Sequence, residues 1–114
     1  MRVYVAGKYE EKARVQEVQD QLIKAGHTIT FDWTRSDEGF TRNQAGLDFY
    51  GVLACEAFVF VAEKDLRYAG AFTELGIALC QGAEVYLLGP HADRCIFTLL
   101  PQVHRGLEGL LERR

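Results

Sequence analysis

Residues 57–78 read AFVFVAEKDLRYAGAFTELGIA, an apolar run followed by a polar loop and then by a helix-forming segment. A run such as Ala57–Ala62, apolar at every position, is typical of a strand that is buried on both faces of a parallel sheet. Ligands bind outside the carboxyl ends of such strands, where the loop at 63–70 would lie. Glu74 is predicted to follow in the first turn of the next helix, where the helix dipole favours an ionised carboxylate.

Glu74 is the candidate catalytic residue of this stretch. An ionised carboxylate in a pocket can act as a nucleophile. Glu is also common at helix starts, where it only stabilises the unpaired N–H groups, and its position alone favours that role. Further evidence from the chain is therefore needed to assign it a function.

The rest of the chain alternates strand patterns with helix patterns. Further strands are predicted over residues 2–6, 27–31 and 85–88, and residues 96–99 fit a short fifth strand. Helices are predicted over residues 12–25, 44–55 and 71–81, with a weak terminal helix after Pro101. Such alternation with right-handed crossovers predicts a single α/β domain over residues 1–114. Its architecture is a doubly wound, flavodoxin- or Rossmann-like open sheet of four or five mostly parallel strands with helices on both faces.

Composition excludes several classes of partner. The 114 residues are 48% hydrophobic and 25% charged, as in ordinary soluble proteins. A formal net charge of −3 provides no general attraction for a polyanion, so we expect no nucleic-acid polymer as partner. The apolar runs are too short to span a bilayer, and we expect a cytoplasmic protein with no membrane partner.

The cysteines and histidines do not form a recognisable metal or disulfide pattern. The three cysteines are widely spaced, and the three histidines are scattered: Cys55, Cys80, Cys95, His27, His91 and His104. We therefore expect no metal site and no cofactor.

Several residues at predicted strand ends are candidates for substrate binding. Gly7 and Lys8 follow the first strand, where backbone N–H groups face an anion, although Lys8 could equally be a solvated charge. Asp32 and Trp33 close the second strand, and the indole could stack on a base or pack under the loop at 32–43. Arg67 could contact a phosphate bidentately or be an exposed surface arginine.

Two motifs together point to a known family. The pattern Gly70-x-x-x-Glu74-Leu75-Gly76-x-Ala78, with an N-terminal Val3-Tyr4-Val5-Ala6-Gly7, resembles the nucleoside 2-deoxyribosyltransferase family and its relatives that hydrolyse nucleoside 5′-monophosphates. The resemblance covers roughly residues 2–90. It implies that Glu74 attacks the anomeric carbon of the sugar, releases the base and holds the sugar as a covalent ester.

The resemblance also suggests partners for Glu74. In relatives an aspartate of the preceding helix contacts the sugar or assists proton transfer, and Asp48 resembles it with a spacing that differs by two residues. Asp48 could equally be a helix-surface or capping carboxylate. Some transferases have an acidic residue six positions before the nucleophile, where this chain has Tyr68. The Tyr68 phenol could donate a hydrogen bond, so Asp48 or Tyr68 would fill the acid/base role beside Glu74. A phenol has an ordinary pKa near 10 and is a different acid, which puts transfer between purines in doubt.

The expected function follows from this resemblance. We expect cleavage of the N-glycosidic bond of a nucleoside or its 5′-monophosphate through a glycosyl ester on Glu74, by hydrolysis or by transfer to a second base. The alternative is a noncatalytic nucleotide-binding or sensing module of the same fold. The resemblance further implies a homodimer or larger homo-oligomer, because relatives complete each pocket with residues of a neighbouring subunit.

Overall fold

The computed structural model describes residues 1–113 and contains a five-stranded, all-parallel sheet in the order β2-β1-β3-β4-β5. The strands are β1 (Arg2–Ala6), β2 (Thr28–Ile29), β3 (Ala57–Val61), β4 (Glu84–Leu88) and β5 (Val103–Arg105). Because the strand order reverses on either side of β1, the sheet is doubly wound and the predicted fold class is confirmed.

Residues 1–113 also contain four α-helices and three 3₁₀ helices, and all but the last α-helix lie between strands. The α-helices are α1 (Lys12–Lys24), α2 (Arg42–Leu53), α3 (Ala69–Cys80) and α4 (Glu108–Leu111), and the 3₁₀ helices are Tyr9–Glu11, Trp33–Arg35 and Ile96–Leu99. Within residues 1–113, none of these helices has the length and apolar character needed to cross a bilayer.

The two faces of the sheet bury separate hydrophobic clusters. Along β1, Val3 and Val5 pack against α1 and α4, whereas Tyr4 and Ala6 face α2 and α3. Every residue of β3 is buried, as its uninterrupted apolar run predicts. Burial of one such Val or Phe side chain contributes about 1.5–3 kcal/mol, so the central strands dominate the stability of the domain.

The edge of the sheet differs from the prediction. Residues Ile96–Leu99 form a 3₁₀ helix rather than a strand, with Ile96 and Leu99 both about three-quarters exposed. The fifth strand is Val103–Arg105, which pairs with β4 and has two exposed side chains. The prediction at 96–99 was wrong because an apolar run indicates burial in a sheet only where the chain can reach the sheet.

Helix α2 lies unusually close to the sheet at Gly51. A Cβ atom there would lie 2.9 Å from the Cβ of Phe31 and 3.1 Å from a ring carbon of Tyr4. Glycine costs a helix interior about 1 kcal/mol relative to alanine, which weakened the helix prediction. Its presence is explained by this contact, which lets α2 lie directly against the Tyr4 ring.

Candidate active site

A cavity of about 530 Å³ opens at the carboxyl ends of β1 and β3. It lies where the order of strands reverses, the usual place for a ligand in an open parallel sheet. Eight of the nine predicted site residues line it: Gly7, Lys8, Trp33, Asp48, Arg67, Tyr68, Gly70 and Glu74. The fold therefore gathers residues that are up to 67 positions apart in the sequence into one site.

Glu74 lies one turn deeper in its helix than the sequence predicted. Helix α3 begins at Ala69, so Glu74 is its sixth residue and belongs to the second turn. The dipole argument for a first-turn carboxylate therefore does not apply. The side chain is partly buried, and loss of hydration raises the pKa of Glu74 from 4.5 to about 7, which corrects the expectation that it stays ionised.

The hydroxyl group of Tyr4, on strand β1, forms a hydrogen bond to the Glu74 carboxylate. Tyr4 Oη donates a hydrogen bond of 2.7 Å to Glu74 Oε2. This bond lowers the pKa of Glu74 and partly offsets the effect of burial. Burial and the neighbouring Glu74 raise the pKa of Tyr4, so the phenol remains a neutral donor. Tyr4 is not predicted as a site residue from the sequence, because an aromatic residue in a buried strand is normally a packing residue.

A second carboxylate, Asp48, approaches the site from α2. It is the seventh residue of that helix, so it does not cap the helix start. Burial raises the pKa of Asp48, and the negative charge of Asp48 in turn raises the pKa of Glu74. The two side chains therefore form an electrostatically coupled pair of carboxyl groups in one cavity.

A short chain of hydrogen bonds orients Asp48. Gln44 Nε2 donates to Asp48 Oδ1 over 2.9 Å, and the Ser36 hydroxyl donates to Gln44 Oε1 over 2.5 Å. Gln44 lies one helical turn before Asp48, and its backbone N–H is capped by the Thr41 hydroxyl. The sequence signal that could have found Gln44 is its spacing of four residues, which places it on the same helix face as Asp48.

Two neighbouring cationic residues, Lys8 and Arg67, line the cavity, which is also lined by the acidic Asp37. Lys8 Nζ donates to the backbone oxygen of Arg67 over 2.7 Å, and the Arg67 side chain is exposed. Gly70, in the first turn of α3, lines the same cavity, where no side chain caps the helix. Unpaired N–H groups and two cations thus lie together, an arrangement that suits an anion.

The geometry disfavours Tyr68 as the acid that protonates a departing base. Its hydroxyl hydrogen-bonds to the Glu11 carboxylate and also lies 3.0 Å from the backbone oxygen of Lys64. Burial and the Glu11 charge raise the pKa of Tyr68, which makes it a weaker proton donor than an ordinary phenol. Only its ring is left to line the cavity.

Asp32 is the one predicted site residue that does not line the cavity, and its role in substrate binding stays a prediction. Its Oδ1 accepts the backbone N–H of Thr34, and its Oδ2 accepts from Arg35. Burial alone would raise the pKa of Asp32, but hydrogen bonds from Thr34 and the Arg35 charge lower it. Asp32 therefore caps the 3₁₀ helix that follows β2.

Trp33 both packs and lines the site. Its indole N–H donates to the backbone oxygen of Val5 over 2.7 Å, and its ring contacts both hydrophobic clusters. Both of the roles considered for this residue therefore have support from its position, and base stacking on its exposed edge stays a prediction.

The fold resembles two solved enzymes. A 2-deoxyribosyltransferase from Bacillus psychrosaccharolyticus superposes with a TM-score of 0.72 and 15% identity, covering 100% of this chain and 93% of that chain. A CMP N-glycosidase from Clostridium botulinum superposes with a TM-score of 0.68 and 21% identity, covering 98% and 96%. The predicted resemblance is thereby confirmed at the level of the fold.

Sequence comparison adds no closer relative. No family model matches the chain, and no curated protein matches it significantly. The function must therefore be inferred from the side chains that the cavity brings together.

Proposed function

We propose that this protein cleaves the N-glycosidic bond of a nucleoside or nucleoside 5′-monophosphate, with Glu74 as nucleophile. The observation that carries the proposal is the Glu74 carboxylate in the cavity, held by Tyr4 and coupled to a second carboxyl group. Two carboxyl groups are the usual equipment for glycosidic cleavage with a covalent intermediate. Both structural neighbours are enzymes named for nucleoside or nucleotide chemistry of this kind.

Glu74 acts first. A pKa of about 7 leaves roughly half of the carboxyl groups ionised at neutral pH. An ionised Glu74 oxygen forms a bond to the anomeric carbon while the bond from that carbon to the base nitrogen breaks, and the base leaves with the electron pair. The Tyr4 hydrogen bond keeps the attacking carboxylate in one orientation, which a partly buried side chain needs in order to react.

Asp48 carries the proton. The two carboxyl groups titrate as a coupled pair, and in its reactive form Glu74 is ionised while Asp48 holds the proton. Asp48 gives this proton to the departing base and then accepts one from the water that attacks the anomeric carbon. The second attack breaks the ester and returns Glu74 to its starting state, with the free sugar or, from a 5′-monophosphate, the sugar 5-phosphate as product. If a second base attacks instead of water, the product is a new nucleoside.

The two cationic residues of the cavity favour a 5′-phosphate. Lys8 and Arg67 lie beside the start of α3, and a phosphate forms short, charge-assisted hydrogen bonds to such groups. We therefore favour nucleoside 5′-monophosphates over free nucleosides as substrates, and hydrolysis over transfer.

We also propose a homodimer or larger homo-oligomer. Helix α2 exposes apolar side chains on the surface opposite the sheet, and the loop before it carries the fully exposed Phe40. The members of this surface, called here the α2 face, are Phe40, Leu47, Phe49, Tyr50 and Leu53. A contiguous exposed apolar surface of this kind is typical of a protein interface. Because α2 also carries Asp48, a second subunit on this face would lie next to the cavity.

The alternative is a noncatalytic nucleotide-binding module. Tyr68, held by Glu11 where some transferases have an acid, is the observation in its favour. The two functions are separated by incubating the protein with a panel of nucleosides and 5′-monophosphates and measuring free base by chromatography. Release that depends on Glu74 supports the enzyme. Tight binding of a panel member without release would support the module.

A further inference from the structure

Glu11 is a buried carboxylate that the proposed reaction does not use. It ends the 3₁₀ helix Tyr9–Glu11, three residues after Lys8, and only 4% of its surface is exposed. Buried carboxylates are rare unless they are paired or hydrogen-bonded, so its partners indicate what it does.

The Glu11 carboxylate joins the two ends of one loop. Its Oε2 accepts the backbone N–H of Glu63 over 3.0 Å, and its Oε1 contacts the Tyr68 hydroxyl. The connection between β3 and α3 covers residues 62–68, and its part from Glu63 to Tyr68 is called here the 63–68 loop. One side chain therefore fixes both ends of a six-residue segment.

The other side-chain ties of this loop are at the surface. Arg14 pairs with Glu63 over 2.9 Å and Arg94 pairs with Asp65 over 2.7 Å, with all four side chains at least 37% exposed. Exposed ion pairs contribute little, whereas loss of a buried hydrogen-bonded carboxylate leaves its donors without partners. The buried Glu11 carboxylate therefore contributes more than these two ion pairs to fixing the 63–68 loop.

The 63–68 loop sets the position of both cations at the cavity mouth. Arg67 belongs to the loop, and the Arg67 backbone oxygen holds Lys8 Nζ. We propose that Glu11 is a positioning residue that fixes the 63–68 loop and thereby sets the affinity of the site for a 5′-phosphate. This inference rests on the proposed function and assigns its phosphate specificity to a residue that contacts no substrate.

The number of protons available for hydrogen bonding shows which Glu11 variant keeps the contacts with Glu63 and Tyr68. The Tyr68 hydroxyl has one proton but two neighbouring acceptors, Glu11 and the backbone oxygen of Lys64. In Glu11→Gln, the amide oxygen accepts from Glu63 N–H and the amide nitrogen donates to Tyr68, which then donates to Lys64. Glutamine therefore satisfies every group, whereas Glu11→Ala removes both ends of the tie and Tyr68→Phe removes one.

The kinetic test compares cytidine 5′-monophosphate with cytidine. We expect Glu11→Ala to raise KM for the monophosphate about tenfold, as loss of a charged hydrogen bond does, with kcat and the nucleoside parameters little changed. Glu11→Gln should behave as wild type, and Tyr68→Phe should show a smaller rise. The matched control is Glu10→Ala, which alters an exposed neighbour in the same 3₁₀ helix. In an Arg67→Ala background, Glu11→Ala should have a smaller effect, because only its effect through the Arg67 backbone oxygen and Lys8 remains.

Hydrogen exchange provides a readout that does not depend on activity. Amides 63–68 should exchange faster in Glu11→Ala and Tyr68→Phe, but not in Glu11→Gln or Glu10→Ala. Unchanged exchange in the first two variants, or faster exchange with an unchanged monophosphate KM, would overturn the proposal.

If wild type releases no base, the proposed function fails on its own. The Kd of cytidine 5′-monophosphate by calorimetry then replaces KM: weaker binding in Glu11→Ala supports the role of Glu11, and equal binding refutes it. If Glu11→Ala does not fold, Tyr68→Phe against Glu11→Gln decides the question.

Discussion

Tyr4 and Glu74 are 70 residues apart in the sequence, and a hydrogen bond of 2.7 Å joins Tyr4 Oη to Glu74 Oε2. The bond connects the buried strand β1 to helix α3, so a strand in the interior of the sheet positions the carboxylate. Burial alone disfavours a charged Glu74, and the phenol returns part of the stabilisation that water would have supplied. The reactivity of Glu74 is thus set jointly by the sheet and by the helix.

Replacement of the nucleophile should abolish the reaction. We expect Glu74→Gln to lower base release by at least about 10³-fold, because the amide keeps the shape of the side chain but cannot form the ester. Glu10→Gln, at an exposed position, is the matched control. Near-wild-type turnover in Glu74→Gln would show that Glu74 is structural.

The same variant has a defined effect on stability. The folded state raises the pKa of Glu74 from 4.5 to about 7, so it binds this proton more tightly than the unfolded chain does. The destabilising effect of Glu74 is therefore absent below pH 4.5, grows as pH rises to 7 and is complete above that. At pH 8, Glu74→Gln should therefore be more stable than wild type. Its free energy of unfolding should be higher by up to about 3 kcal/mol, and it should unfold at a higher temperature. A difference in stability between Glu74→Gln and wild type that is the same at pH 5 and pH 8 would contradict the raised pKa of Glu74.

Removal of the Tyr4 hydroxyl should move the pH profile. Because Glu74 must be ionised to attack, kcat/KM should rise with pH through about 7. Tyr4→Phe removes a hydrogen bond that lowers the pKa of Glu74, so the acidic limb should move to higher pH. Tyr86→Phe changes a buried tyrosine on the other face of the sheet and should leave the limb in place. A limb that does not move in Tyr4→Phe would assign the ionisation to another group.

Asp48→Asn should slow base release by about 10²-fold, less than Glu74→Gln does. Asparagine accepts the hydrogen bond from Gln44 but cannot carry the proton to the departing base or from the attacking water. Steady-state kinetics with one good substrate measures the effect, and Asp20→Asn on the exposed surface of α1 is the control. Turnover equal to wild type would move the acid/base role to another residue.

Substrate preference should depend on Arg67. We expect the ratio of kcat/KM for a 5′-monophosphate to that for its nucleoside to exceed one in wild type and to fall about tenfold in Arg67→Ala. Arg35→Ala, whose guanidinium pairs with Asp32 outside the cavity, should leave the ratio unchanged. A wild-type ratio below one that Arg67→Ala does not alter would indicate a transferase that acts on free nucleosides.

Assembly should depend on the α2 face. Light scattering at micromolar concentration should give at least twice the monomer mass of 12.9 kDa, and Tyr50→Glu should lower it towards one subunit. Ile23→Glu introduces the same charge at an exposed position of α1 and should not change the mass. A monomeric and fully active wild type would refute the oligomer.

The central strands could be predicted from the sequence because burial on both faces leaves a direct signature. The apolar runs at 57–61 and 85–88 match β3 and β4 closely. Strand β5 was missed because its three residues lie at the sheet edge and two are exposed, so they carry no apolar pattern. Residues 96–99 carry such a pattern without being in the sheet.

Site residues could be predicted where a charged side chain directly indicates a chemical role. Glu74, Lys8 and Arg67 stand out as charges beside predicted strand ends, and the cavity gathers them. Tyr4 and Glu11 were missed because their roles depend on long-range contacts, and one resembles a core residue while the other resembles a surface charge. Asp32 caps the turn after β2 instead of lining the cavity, because a carboxylate after a strand can equally cap the next turn.

The position of Glu74 in the second turn of α3 sets the distance that a ligand must span between its phosphate and its reactive carbon. Gly70 lies at the anion-binding end and Glu74 four residues further on, which is about 6 Å along the helix axis and on nearly the same face. A ligand that places its phosphate at the first point must therefore present its reactive carbon one helical turn away. Insertion of a single residue between the two would rotate the carboxylate by about 100° out of the cavity.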